Sequence, residues 1–117
     1  MPLSEKPGRR PPDMTPTRQI YKQPQAEQDL LDIWHYSAQH WGAAKADDYL
    51  DELLAVLQKI AEQPAAYPLQ MQYSPPVRFA VCNRHLLITT TDATRVTLIR
   101  VLHQRMDVNP DTWDERH

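Results

Sequence analysis

From Leu30 to Trp41 apolar residues recur every three or four positions. Leu30, Ile33, Trp34, Ser37, Ala38 and Trp41 fall within an arc of about 140° when successive residues advance by roughly 100°, which predicts an amphipathic helix. Pro24 suits its first position, where the missing N–H has no helical partner in any case. Gly42 suits its end as a left-handed cap, a conformation that a Cβ disfavours. A second stripe follows in Ala46, Tyr49, Leu50, Leu53, Leu54, Leu57, Ile60 and Ala61, with Asp47, Asp48, Asp51, Glu52, Gln58, Lys59 and Glu62 on the other side. Pro64 and Pro68 stop it. Two such helices with so short a connection pack antiparallel and share one apolar face.

Elsewhere the period is two. A short strand is predicted at Arg18–Lys22, around Ile20. Beyond Pro75-Pro76, the runs Val77–Cys82, His85–Thr91 and Arg95–Leu102 are rich in β-branched residues and separated by the polar turns Asn83-Arg84 and Asp92-Ala93-Thr94. They read as an antiparallel meander. In the first, Val77, Phe79 and Val81 share a face opposite Arg78, Ala80 and Cys82. In the last, strict alternation puts Val96, Leu98, Arg100 and Leu102 on one side and Thr97, Ile99, Val101 and His103 on the other. A strand apolar on both faces is a central one. The fold class is therefore α+β in the order β-α-α-β-β-β, a two-helix antiparallel hairpin packed on a small, mainly antiparallel sheet.

At 117 residues the chain holds one domain. Five of its eleven prolines fall among the first sixteen residues, a stretch without periodicity or aromatic rings. Residues 1–17 are expected to be a flexible leader, 18–107 the domain and 108–117 a tail. Met14, near the end of the leader, is an alternative translation start. Cys82 is the single cysteine, so a reducing compartment suits the chain. No apolar run reaches the roughly 18 residues of a membrane span, and no secretion signal is visible, so a cytoplasmic location is expected.

The formal charge is only −2, which excludes a strongly basic nucleic-acid coat. Its distribution is uneven. Residues 21–64 carry three lysines against eight acids, while residues 65–107 carry five arginines (Arg78, Arg84, Arg95, Arg100 and Arg105) against Asp92 and Asp107. Arginine's planar fork suits bidentate recognition of carboxylate or phosphate, so the sheet surface is expected to meet an acidic partner or nucleic acid. Charged edge strands that resist aggregation are the plainer explanation of the same arginines.

Few residues offer chemistry. Gly8 and Gly42 are the only glycines, which excludes glycine-rich phosphate loops. The acids Asp47, Asp48, Asp51 and Glu52 line one helix face and read as solvated, not as a calcium loop. His35 and His40 are five apart and do not face one metal. Cys82 and His85 form a C-x-x-H without a second ligand pair, so no metal or cofactor is expected. His103, close in sequence to Arg100, Arg105 and Asp107, has its imidazolium form disfavoured by the arginines and is a candidate general base. A pairing of His103 with Asp107 that fixes the strand end is the structural alternative.

The run Ala26-Glu-Gln-Asp29-Leu30-Leu-Asp-Ile33, then Trp41-Gly42, Ala46-x-x-Tyr49-Leu50, Ala61-Glu-Gln-Pro64 and Pro76-Val-Arg78 resembles the ParE/RelE superfamily of toxins from type II toxin–antitoxin systems. So does the ending Val96-Thr-Leu-Ile99-Arg100-Val101-Leu102-His103-Gln-Arg105-Met106-Asp107. Together these segments span about residues 20–107, and no single one is specific; their order and spacing carry the resemblance. It implies the β-α-α-β-β-β order already read from the pattern. Where many relatives carry a Tyr in the third strand, this chain has Leu87-Ile88-Thr89.

Two activities follow from the resemblance. RelE-like members cleave mRNA on the ribosome with basic residues on the sheet and, in many cases, a Tyr near the C-terminus. This chain has no lysine after Lys59 and no tyrosine after Tyr73. ParE-like members instead poison DNA gyrase without cutting nucleic acid themselves, and the ending looks like theirs. The resemblance thus implies a gyrase inhibitor, not an enzyme, neutralised by a cognate antitoxin. Arg100, His103 and Arg105 are the candidates for target binding, and Arg78 and Arg100 those for antitoxin binding. The alternatives are a ribosome-dependent endoribonuclease using His103 and Arg105, and a diverged non-toxic module that only binds its antitoxin.

Overall fold

A computed structural model describes residues 17–104; the expected leader up to residue 16, Arg105, Asp107 and the tail 108–117 lie outside the described residues. Strand β1 (Gln19–Lys22) leads into helix α1 (Pro24–Trp41), and Gly42 alone separates it from helix α2 (Ala43–Glu62). A 3₁₀ turn at Pro64–Ala66 precedes β2 (Leu69–Gln70), β3 (Val77–Cys82), β4 (His85–Thr91) and β5 (Arg95–His103). The sheet runs β1-β5-β4-β3-β2, with β1 parallel to β5 and all other pairs antiparallel. Two helices on one face of this mixed sheet give the expected α+β architecture.

Gly42 does end α1, but not as a left-handed cap. Its φ of 93° and ψ of 159° lie in an extended region that essentially only glycine occupies. That geometry lets one residue reverse the chain: its N–H donates to the Ala38 carbonyl, closing α1, while its own carbonyl accepts from Ala46 N–H, opening α2. The hairpin is further tied by the Trp34 indole N–H, which donates to Asp47 at 2.8 Å.

The strand β2 was not expected, since two residues carry no period to read. It pairs Leu69 with Arg78 and Gln70 with Val77, covering only the start of β3. Strand β5 is interior, as its two apolar faces require, but strict alternation fails within it. Thr89 pairs with Leu98 and Ile88 with Arg100, so Ile99 is an extra residue without a counterpart. Beyond this irregularity the faces exchange. Val96, Leu98 and Val101 join Leu53, Leu57, Ile60, Ala80 and Leu87 in the core under the helices. Ile99 and Leu102 turn to the opposite face with Val77 and Ile88, where Tyr73, Phe79 and Leu86 pack against them.

Burial corrects three further expectations. Val81 shares parity with Val77 and Phe79 yet is 62% exposed, beyond the stretch of β3 that β2 pairs. On α2 Leu54 lies at the margin of the stripe and is exposed, and so is Trp41, the last residue of α1. Thr89 is fully buried, its hydroxyl donating to the Arg78 carbonyl at 3.4 Å.

β1 covers β5 only as far as Leu98; the last link is Gln23 N–H to the Leu98 carbonyl at 3.0 Å. There the chain turns into α1, and beyond Leu98 this edge of β5 meets the Asp29 side chain of α1, while its other edge stays paired with β4.

Candidate functional site

Where β1 leaves the sheet, a cleft of about 1050 Å³ opens between the helical hairpin and the end of the β4–β5 pair. Its boundary against α1 is set by Asp29, which is 8% exposed. The Arg100 Nε donates to Asp29 Oδ2 at 2.7 Å and its Nη2 to Oδ1 at 3.1 Å, a bidentate pair. The Val101 backbone N–H donates to the same Oδ2 at 3.0 Å, and Gln25 Nε2 to Oδ1 at 3.3 Å. The carboxylate thus supplies, from a helix, the acceptor that a longer β1 would have given to β5.

Arg78 is committed in the same way. Its Nη1 donates to the Tyr67 carbonyl at 2.6 Å and its Nε to the Thr91 hydroxyl at 3.1 Å. At least two N–H groups of each guanidinium are thereby held by internal acceptors. Arg84 and Arg95 are exposed, Arg95 lying 5.5 Å from the centroid of the Tyr21 ring. Of the candidates read from the sequence, Arg100 and His103 line the cleft, Arg78 does not, and Arg105 lies outside the described residues.

The floor of the cleft holds a cluster that the sequence did not reveal. His85 and His103 are cross-strand partners at the end of β4 and β5, with ring centroids 5.4 Å apart and nearly perpendicular. The Tyr49 hydroxyl reaches over from α2 to lie 2.6 Å from His85 Nδ1 and 3.4 Å from the Cys82 carbonyl. Both bonds form together when His85 Nδ1–H donates to the tyrosine oxygen and the tyrosine O–H donates to the carbonyl. Burial, and then the neighbouring His103, pushes His85 down to about 4, while burial pushes the Tyr49 hydroxyl up. The histidine whose protonation this burial disfavours is His85. The signal for it was Tyr49 itself: a tyrosine on a buried helical stripe needs a partner for its hydroxyl.

Burial also raises the Cys82 thiol, and Glu52 adds to the effect. Glu52 accepts a hydrogen bond from Asn83 Nδ2 at 2.6 Å, tying α2 to the β3–β4 turn. Asn83 has φ 56°, a conformation that asparagine tolerates better than most residues, in the two-residue turn that the sequence predicted. Among the described residues no group of three or more His, Cys, Asp or Glu is placed to hold a metal ion.

At the outer rim of the cleft Tyr36 and Trp41 are 57% and 60% exposed. The His40 ring stacks on Tyr36 at 3.9 Å, and Trp41 meets Tyr36 edge-on at 6.1 Å. Exposed aromatic rings beside a cleft are the kind of surface that protein partners bury.

Residues 20–108 match the family described as ParE toxin of type II toxin-antitoxin system, parDE. Toxin ParE1 of Caulobacter vibrioides is 39% identical over 82 residues, covering 70% of this chain and 84% of that protein. Toxin ParE1 of Mycobacterium tuberculosis is 32% identical over 87 residues, covering 74% of this chain and 89% of the relative. A solved chain described as the chromosomal ParDE TA system from P. aeruginosa has the same fold at a TM-score of 0.64 and 12% identity, covering 74% of this chain and 96% of that one.

Proposed function

Because this chain belongs to the ParE toxin family of type II toxin–antitoxin systems, we propose that it acts in the cytoplasm as a poison of DNA gyrase and is silenced by tight binding of its cognate antitoxin. The observation that carries the silencing half is the open cleft rimmed by Tyr36 and Trp41. An amphipathic antitoxin segment laid between the hairpin and the β4–β5 pair would bury these rings together with Ile33. Arg100, bound to Asp29, holds the wall of that groove, and Arg78 braces the sheet behind it. Their loss would therefore weaken the complex through geometry as much as through charge.

For the target, Arg100, His103 and Arg105 are the candidate contacts, and Arg100 also ties β5 to α1 through Asp29. The commitment of Arg78 and Arg100 to internal acceptors favours this protein-binding role over phosphodiester cleavage. The purified protein is expected to inhibit gyrase supercoiling and to accumulate cleaved DNA, with both effects abolished by the antitoxin. Intact supercoiling at micromolar protein, with mRNA cut only when ribosomes are present, would replace this reading by the ribonuclease one. Absence of both, with antitoxin binding intact, would leave a diverged binding module.

A further inference from the structure

We propose that the Tyr49–His85–His103 cluster, with Arg84 at its edge, is a proton-coupled binding site for a single carboxylate carried by a partner protein segment. Three observations place it. All four residues line the same cleft. The two imidazoles are held together by strand register rather than by a flexible loop, so their separation is fixed by backbone pairing. His85 is further oriented by the Tyr49 hydroxyl at 2.6 Å, which fixes one ring nitrogen and therefore the direction of the other.

The surroundings decide what kind of anion enters. Tyr49 from α2 and His103 from β5 face His85 directly, and Cys82 from β3, Glu52 from α2 and Arg84 from the turn act on the Tyr49 hydroxyl beside it. The cleft lining as a whole carries four acids, Asp29, Asp32, Asp48 and Glu52, and three cations, Lys45, Arg84 and Arg100, of which Arg100 is matched by Asp29. With neutral histidines this wall has no surplus of positive charge to hold a polyanion such as a nucleic-acid backbone. One carboxylate beside Arg84 is admissible, provided that a histidine takes a proton from solvent as it binds. The neighbouring Ile33, Tyr36 and Trp41 suit the apolar side chains that flank an acidic residue in a protein segment.

Linkage then fixes the sign. Binding an anion favours the imidazolium, so the complex carries more protons than its free components and tightens as the pH falls. Each coupled histidine contributes up to about tenfold per pH unit between its free and bound midpoints.

The test follows the histidine ring resonances of the full chain by NMR across pH, in chloride and in trifluoroacetate, a carboxylate that stays ionised throughout. Trifluoroacetate is expected to raise the His85 midpoint by about half a unit or more, equivalent to roughly threefold tighter anion binding to the protonated form. The rise should vanish in Arg84→Gln/His103→Gln and persist in Arg95→Gln. An identical midpoint in the two salts would overturn the site without recourse to any variant. Binding of a short oligothymidylate at the cluster where trifluoroacetate has no effect would overturn the carboxylate assignment. The partner half rests on the antitoxin reading: toxin–antitoxin affinity should rise about twofold or more from pH 6 to pH 4, the range in which His85 takes its proton. A pH-independent complex would refute the coupling and spare that reading, whereas no complex at all would refute the reading and with it the partner assignment, leaving the anion site to the salt comparison.

Discussion

Asp29 and Arg100, 71 positions apart in the chain, meet in a bidentate pair with Nε 2.7 Å from Oδ2, and the Val101 N–H shares the same oxygen. The pair joins the first helix to the interior strand at the point where backbone pairing with β1 ends. Removing one member takes the opposite charge away from the other in a nearly closed environment. Asp29→Ala is expected to cost about 3 kcal/mol of stability by chemical denaturation. The double change Asp29→Leu/Arg100→Leu should cost clearly less than the sum of the single ones, as a double-mutant cycle would read.

Gly42 gives a prediction of a different kind. An added Cβ meets nothing within 4 Å, so the penalty of Gly42→Ala arises from φ 93° alone. A loss of about 1–3 kcal/mol is expected, visible as a lowered Tm with unchanged helical content in the folded protein. A side-chain clash would instead grow with residue size, so Gly42→Ser should cost nearly the same as Gly42→Ala.

His85 sets part of the acid limb of stability. Its folded midpoint, about 4, lies below the value of 6.5 expected when unfolded, so the unfolded chain binds the extra proton first. Stability contributed by the neutral, buried ring is complete above about pH 6.5 and is lost as the pH falls from there toward 4. His85→Gln should flatten this part of the Tm–pH curve relative to the unmodified chain.

Tyr36 and Trp41 separate folding from binding. Both are exposed, so Tyr36→Ala and Trp41→Ala are expected to change stability by less than about 0.5 kcal/mol. If the antitoxin covers them, each should weaken the complex by about 2 kcal/mol, mainly through faster dissociation, measurable by surface plasmon resonance.

What the sequence disclosed depended on range. Both helices and strands β3 to β5 were legible because their periods extend over six residues or more. Strand β2 has only two residues, and the extra residue Ile99 shifts parity where alternation gives no warning. Charge was legible in sign but not in use: Arg78 and Arg100 are plain in the sequence, whereas their acceptors Tyr67, Thr91 and Asp29 are decided by packing. The pairing of Tyr49 with His85, 36 positions away, was hidden for the same reason. His85 was read with Cys82, its near neighbour in sequence and its partner on β3, and the β4–β5 register adds His103 on its other side.

The brevity of β1 determines the shape of the mouth. A strand two residues longer would advance by roughly 7 Å and run alongside β5 as far as Arg100. It would take over the amide now held by Asp29 and seal the opening with backbone. Four residues are enough to anchor the sheet and few enough to keep the gate open. Length at this one edge is thus a lever by which a chain of the same fold gains or loses a place for another protein to enter.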